Sequence, residues 1–186
     1  MTELRIVRSR RKTLALQVLP TGEIVARAPL RLPERDIHAF AEQHAAWLEA
    51  AVARARAGSR AAQQAGILSE TELQRLHTAA RADLTERVTR LAARMGVDFA
   101  GITIRAQRTR WGSCSARGSL SFNCLLMLAP PEVREYVAAH ELCHRKQMNH
   151  SAAFWREVAL WLPDYAAQRA WLREHGPALL GRLPKT

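Results

Sequence analysis

The chain has 186 residues, 48% of them hydrophobic, and a formal net charge of +11 at pH 7. That is enough apolar material for one good core and a small appendage, and no run of about 18 apolar residues exists to form a membrane span. Lysine occurs only at Lys12, Lys146 and Lys185, so 25 of the 28 basic residues are arginine. Such a balance reflects either coding bias or attraction to nucleic acid or another polyanion. Arg5, Arg8, Arg10, Arg11 and Lys12, and the pair Arg108 and Arg110, are where that partner would first be sought.

Met1 to Ile6 alternates charged and apolar residues and lacks the hydrophobic block of a signal peptide. Three cysteines, Cys114, Cys124 and Cys143, suit free thiols in a reducing compartment. A cytoplasmic location is therefore expected.

Thr13 to Val18 alternates Leu14, Leu16 and Val18 on one face, the period of a half-buried strand. Pro20-Thr21-Gly22 is a turn and Glu23 to Ala28 the returning strand, which together make a hairpin. Pro33 suits the first turn of a helix carrying Ile37, Phe40, Ala41, His44, Trp47, Leu48 and Ala51 as an apolar stripe. Arg54 to Gly66 loses its large apolar residues and reads as a frayed helix end or a linker. The division expected is an accessory module over residues 1–57, a linker over 58–68 and a main domain over 69–186.

Ser69 and Glu72 form a capping box, and Leu73, Leu76, Ala80, Leu84, Val88, Leu91 and Met95 give the buried face of the helix that follows. Gly96 is its C-cap. Gly101 to Gln107 reads as a strand, Thr109 to Ser115 as a small-residue loop around Trp111, and Ser119 to Asn123 as a short strand. A helix from Pro131 to Met148 follows. Ser151 caps another that Pro163 stops, and a last helix from Tyr165 ends at Gly176-Pro177. Trp155, Trp161 and Trp171 read as core packing.

The chemistry concentrates at His140-Glu141-Leu142-Cys143-His144. Residues four apart share a helix face, so His140 and His144 can point two imidazoles at one ion. This is the H-E-x-x-H zinc pattern, in which the glutamate is general base towards a metal-activated water. His150 is the expected third ligand. Continuing the helix six residues past His144 would turn it away by about 240°, so the chain must exit first. The long-spaced metalloprotease pattern places glycine there, where this chain has Gln147. Asn149, tolerant of the left-handed conformation, is the expected exit. Glu157 on the next helix is the rival ligand. Cys143 reads as a small core residue. No C-x-x-C spacing suggests a second metal site.

Three stretches carry a family resemblance: Thr109 to Ser115, Leu120 to Asn123, and His140 to His144 continuing through Met148-Asn149-His150-Ser151 to Phe154-Trp155. The chain resembles the YgjP-like metallopeptidases, which are similar to the SprT and WLM proteases. The resemblance implies an α+β, zincin-like metallopeptidase domain, a small mixed sheet with a zinc-binding helix, here preceded by the hairpin and helix. Trp111, Gly112 and Ser113 read as a tight structural turn or as the rim of a substrate cleft, where a peptide can add to an edge strand; the resemblance implies the rim, near the metal helix.

The function expected is hydrolysis of peptide bonds in a peptide or protein substrate, with one Zn²⁺ per chain held by His140, His144 and His150, and Glu141 as general base. Arg110, Asn123 and Tyr165 are chemically able to steady the developing oxyanion and are not ranked. With Trp111 and Ser113 they form the expected substrate or transition-state contacts. The alternative is a basic nucleic-acid-associated protein whose zinc is structural or weakly active. No membrane partner is expected, and the oligomeric state is not legible.

Overall fold

The computed structural model describes residues 4–184. Met1 to Glu3, part of the alternating stretch noted above, and Lys185 and Thr186 lie outside the described residues. The element order is β1 (Leu4–Ser9), β2 (Ala15–Val18), β3 (Ile24–Pro29), α1 (Glu34–Gln43), α2 (Ala45–Ala65), α3 (Glu70–Met95), β4 (Gly101–Arg105), β5 (Gly112–Cys114), β6 (Ser119–Asn123), a 3-10 turn (Cys124–Leu128), α4 (Pro131–Cys143), α5 (Ala152–Trp161) and α6 (Tyr165–Leu180). The architecture is α+β, with two small mixed sheets. Among the described residues no helix is long and apolar enough to cross a membrane.

The expected hairpin is β2 and β3, antiparallel, with Gly22 in the turn at φ 86°. It has a third member that sequence reasoning missed. β1 runs parallel to β3 and completes a sheet of order β1-β3-β2. The single helix expected from Pro33 is two. It breaks at His44, whose backbone leaves the helical region and whose ring Nδ1 bonds the Phe40 carbonyl at 2.8 Å. α2 then runs through residues 58–65 and stops at Gly66, φ 76°. Few large apolar residues are needed there because small ones, Ala55, Gly58 and Ala62, form the buried face.

α3 begins with the Ser69–Glu72 capping box and ends at Gly96 in the left-handed conformation, as its sequence signals. Its buried face joins Leu120 and Phe122 of β6, Val137 and Leu142 of α4, and Phe154 and Val158 of α5 in the main core. The second sheet has order β4-β6-β5, with β4 parallel and β5 antiparallel to the central β6. β5 is the other strand the sequence concealed, inside what read as a loop.

α6 does not end at Gly176-Pro177 but continues through them to Leu180. Pro177 lacks an N–H and so omits one helical bond. The close fit of α6 against α2 holds the helix across it: a Cβ on Gly58 would lie only 2.6 Å from the Pro177 Cβ.

Candidate metal centre

α4 starts with Pro131 in its first turn and buries Val133, Val137, Ala138, Ala139 and Leu142. It is a core helix whose final turn carries His140 and Glu141, with His144 as its C-cap. The i,i+4 spacing brings the two rings to 5.1 Å between centroids. The chain then leaves the helix earlier than the sequence suggested. Arg145 N–H donates to the Leu142 carbonyl, and the Lys146 and Gln147 N–H groups donate to that of Cys143. No described residue other than glycine has positive φ, so Asn149 does not make the left-handed exit expected of it. Hydrogen-bonded right-handed turns do the reversal instead. The Asn149 side chain accepts the Ser151 N–H, and the Ser151 side chain caps α5.

This reversal brings His150 back, with its Nε2 3.1 Å from that of His140. One nitrogen from each of His140, His144 and His150 lies within 4.8 Å of the others. The second nitrogen of His144 is engaged in a way that fixes its tautomer. His144 Nδ1 donates to the Gln147 carbonyl at 3.0 Å, and His140 Nδ1 lies 3.5 Å from Tyr136 Oη. Burial, and then the neighbouring imidazoles, push His140 down to about 3. Neutral imidazoles are the form that ligates metal. Three imidazole nitrogens converging on one point form a donor set that fits a metal ion.

Glu141, one residue round the helix from His140, lies against Gly112 of β5. It is 5% exposed, and burial, the single cause, pushes its carboxyl up to about 8. A Cβ on Gly112 would sit 2.5 Å from Glu141 Oε1 and 2.7 Å from its Cγ. The carboxylate thus occupies the space that any other residue at 112 would fill. β5 is an edge strand. Asn123 N–H bonds the Trp111 carbonyl, and Ser115 N–H bonds that of Ser119. With Ser113 opposite Ser121, the antiparallel alternation turns the backbone groups of Gly112 and Cys114 away from β6, to the open edge.

A model of the YgjP-like metallopeptidase domain matches residues 69–175. The chain belongs to the YgjP-like metallopeptidase family. Among solved structures, the chain is similar to the metallopeptidase zymogen abylysin of Pyrococcus abyssi. The identity is 21% and the TM-score 0.44, covering 48% of this chain and 90% of that one. It is also similar to the zymogen jannalysin of Methanocaldococcus jannaschii, at 20% identity and TM-score 0.43, covering 48% and 87%. No curated protein gives a match. As a YgjP-like metallopeptidase the protein is a peptidase, a hydrolase of protein or peptide substrates.

The remaining residues singled out from the YgjP-like motifs take different places. Asn123 is fully buried. Its Nδ2 donates to the Gln107 and Arg110 carbonyls and its Oδ1 accepts the Leu125 N–H, which ties down the loop before β5. Trp111 packs against Gly176 of α6. Ser113 lies on the opposite face of β5 from Gly112, and hence from Glu141. The Arg110 side chain is exposed. Tyr165 stacks on Trp155 at 5.4 Å. Glu157 accepts from Lys146 Nζ at 2.7 Å and Trp161 Nε1 at 2.9 Å. Cys143 is buried and its thiol is pushed up to about 12 by burial, so it stays protonated.

Sequence reasoning missed three neighbours of the site. Tyr136 stands four residues before His140, a spacing that could have identified it. Trp155, expected in the core, has its ring 5.8 Å from that of His140 and 5.9 Å from that of His150. Arg169 stands over Trp155 at 4.5 Å. It comes from another helix, and nothing local in the sequence marks it.

Proposed function

We propose that the protein is a zinc-dependent peptidase in which His140, His144 and His150 hold the ion and Glu141 is the general base. The observation that carries this reading is the arrangement at the end of α4, where three imidazoles converge and the neighbouring carboxylate is buried against the edge strand β5. Zinc held by three imidazoles supplies a Lewis acid for a carbonyl and water that ionises near pH 7.

The chain's own residues do the rest. The unpaired backbone groups of Gly112 and Cys114 receive an extended segment of substrate as an added strand. Glu141, beside that strand, takes a proton from the attacking water and delivers it to the leaving amine. Burial opposes the ionised carboxylate, and a cation alongside favours it. A metal ion held by the three imidazoles would therefore favour the ionised base. Tyr136 and the Gln147 carbonyl orient two imidazoles. Of the three oxyanion candidates, Tyr165 stands beside the histidines through Trp155, and we assign that part to its hydroxyl. Arg169 adds positive charge at the same mouth.

Glu141→Gln, His150→Ala and Glu157→Ala, assayed together for metal content and peptide cleavage, test the assignment. Glu141→Gln should keep its metal and lose hydrolysis by at least about a hundredfold. His150→Ala should lose metal, and Glu157→Ala should retain it. Parental cleavage by Glu141→Gln, or metal loss from Glu157→Ala rather than His150→Ala, would overturn it.

A further inference from the structure

Where the N-terminal half meets α6, the structure encloses a cavity of about 330 Å³ that the peptidase reaction does not use. Three of its walls carry an arginine. Arg54 comes from α2, Arg173 from α6, and Arg108 from the loop before β5. The helical period explains two of them. Trp47, Ala51, Arg54 and Ala55 share one face of α2, and Arg173, Pro177 and Leu180 share one face of α6. The turn of the β2–β3 hairpin closes the remaining side with Val18, Leu19 and Pro20.

Among the described residues, no carboxylate lines the cavity and none of its three arginines has an ion-pair partner. Some arginines elsewhere are treated differently. Arg87, Arg134 and Arg145 are each paired with an acid. Gathering three guanidinium groups in one concavity costs repulsion that an anion would relieve. The position is also held in place. Arg108 donates to the carbonyls of Leu183 and Pro184. The helix seam beside it is tight, since a Cβ on Gly181 would lie 2.7 Å from the Ala62 Cβ. A guanidinium fixed, as that of Arg108 is, suits phosphate, which accepts two parallel N–H bonds.

Trp47 supplies the second half of the chemistry. It is 47% exposed, one of the few large apolar side chains left in solvent, and it lies on the cavity wall. An open aromatic surface beside arginines is how single-stranded nucleic acid is held without sequence preference, the bases stacking while cations track the phosphates. We infer that this arginine-lined cavity between α2 and α6 is a binding site for the phosphodiester backbone of single-stranded nucleic acid, with Trp47 stacking on a base. The site stands apart from the metal centre and does not depend on how that centre works.

The test is fluorescence anisotropy of the full chain with a labelled oligothymidylate at about 50 and about 200 mM salt. Three variants are compared with the parent: Arg54→Gln/Arg108→Gln/Arg173→Gln, Trp47→Ala, and a charge-matched control, Arg31→Gln/Arg94→Gln/Arg117→Gln, at exposed positions elsewhere. The cavity triple variant should lose at least about tenfold in affinity and reduce the salt slope by about 2, as expected for three lost phosphate contacts to a single strand. Trp47→Ala should weaken binding and the control should bind nearly as the parent does. Because Arg108 also braces the C-terminal carbonyls, Arg54→Gln/Arg173→Gln is run beside the triple variant with thermal melts, and it should show most of the loss while folded.

Equal losses in the cavity and control variants would mean diffuse charge and overturn the site. Absence of binding by the parent at low salt would do the same. Tripolyphosphate, added as competitor, separates the sources of phosphate. Full competition with no effect of Trp47→Ala would overturn the assignment to nucleic acid.

Discussion

Gly112 owes its identity to a neighbour rather than to its own backbone. Its φ is not among the positive ones, so the local conformation would accept other residues. What excludes them is the Glu141 carboxylate, buried where a side chain at 112 would begin. Gly112→Ala should therefore leave the histidines and their metal in place while displacing the carboxylate. A misplacement of this size commonly costs about a hundredfold in rate, and we expect a loss of that order in kcat. Metal analysis and steady-state kinetics on the one variant check it. Parental kcat would show that Glu141 tolerates the shift. His140 and Glu141 were legible from a five-residue pattern because helical geometry dictates their directions. The partnership of residues 112 and 141 was not, because it depends on how a strand and a helix meet.

Among the elements, α3 and α4 are clamped by charge as well as by core packing. Asp83 accepts two bonds from Arg87 and also faces Arg134, while Glu135 accepts from Arg87 and Arg90. Burial raises the Asp83 carboxyl, but the Arg87 hydrogen bonds and the two arginine charges outweigh it and hold the carboxyl below its ordinary value. A folded-state value below the unfolded one stabilises the fold above about pH 4, and that stabilisation is lost as pH falls through the folded-state value. Asp83→Asn should cost about 1 kcal/mol at pH 7, after allowance for solvent screening. The gap from the parent should narrow as pH falls below about 4. Melts across that range measure it, and a gap that stays constant with pH would remove Asp83 from the clamp. The elements differ in how plainly the sequence announced them. α3 carried a capping box, a long apolar stripe and a terminal glycine, all local signals. β5 is three small residues with no strand preference of their own, and it exists because β6 offers a ladder. β1 is rich in arginine and hides its pairing in the same way. The exit after His144 was expected to need a special residue, and ordinary turns sufficed.

At the scale of the whole molecule, the close approach of α2 and α6 joins the N-terminal sheet and helices to the family's peptidase region. That seam depends on residues without side chains. Gly58→Val would drive atoms into Pro177, 2.6 Å from the position of its Cβ, and should destabilise the protein by about 1–3 kcal/mol. Thermal denaturation reads this directly, and an unchanged midpoint would show that the seam gives way easily. The three-residue length of β5 has a further consequence, for the proteins this peptidase would act upon. In the binding mode proposed above, an edge that short would bind through backbone groups and give little account of sequence, so it would select targets by their conformation. A segment locked in its own helix or sheet has no free backbone to offer. Such a target becomes accessible only in the fraction of time its own structure opens. Cleavage would then follow the local stability of the victim more closely than its sequence, and a protein already loosened by damage or misfolding would be cut first.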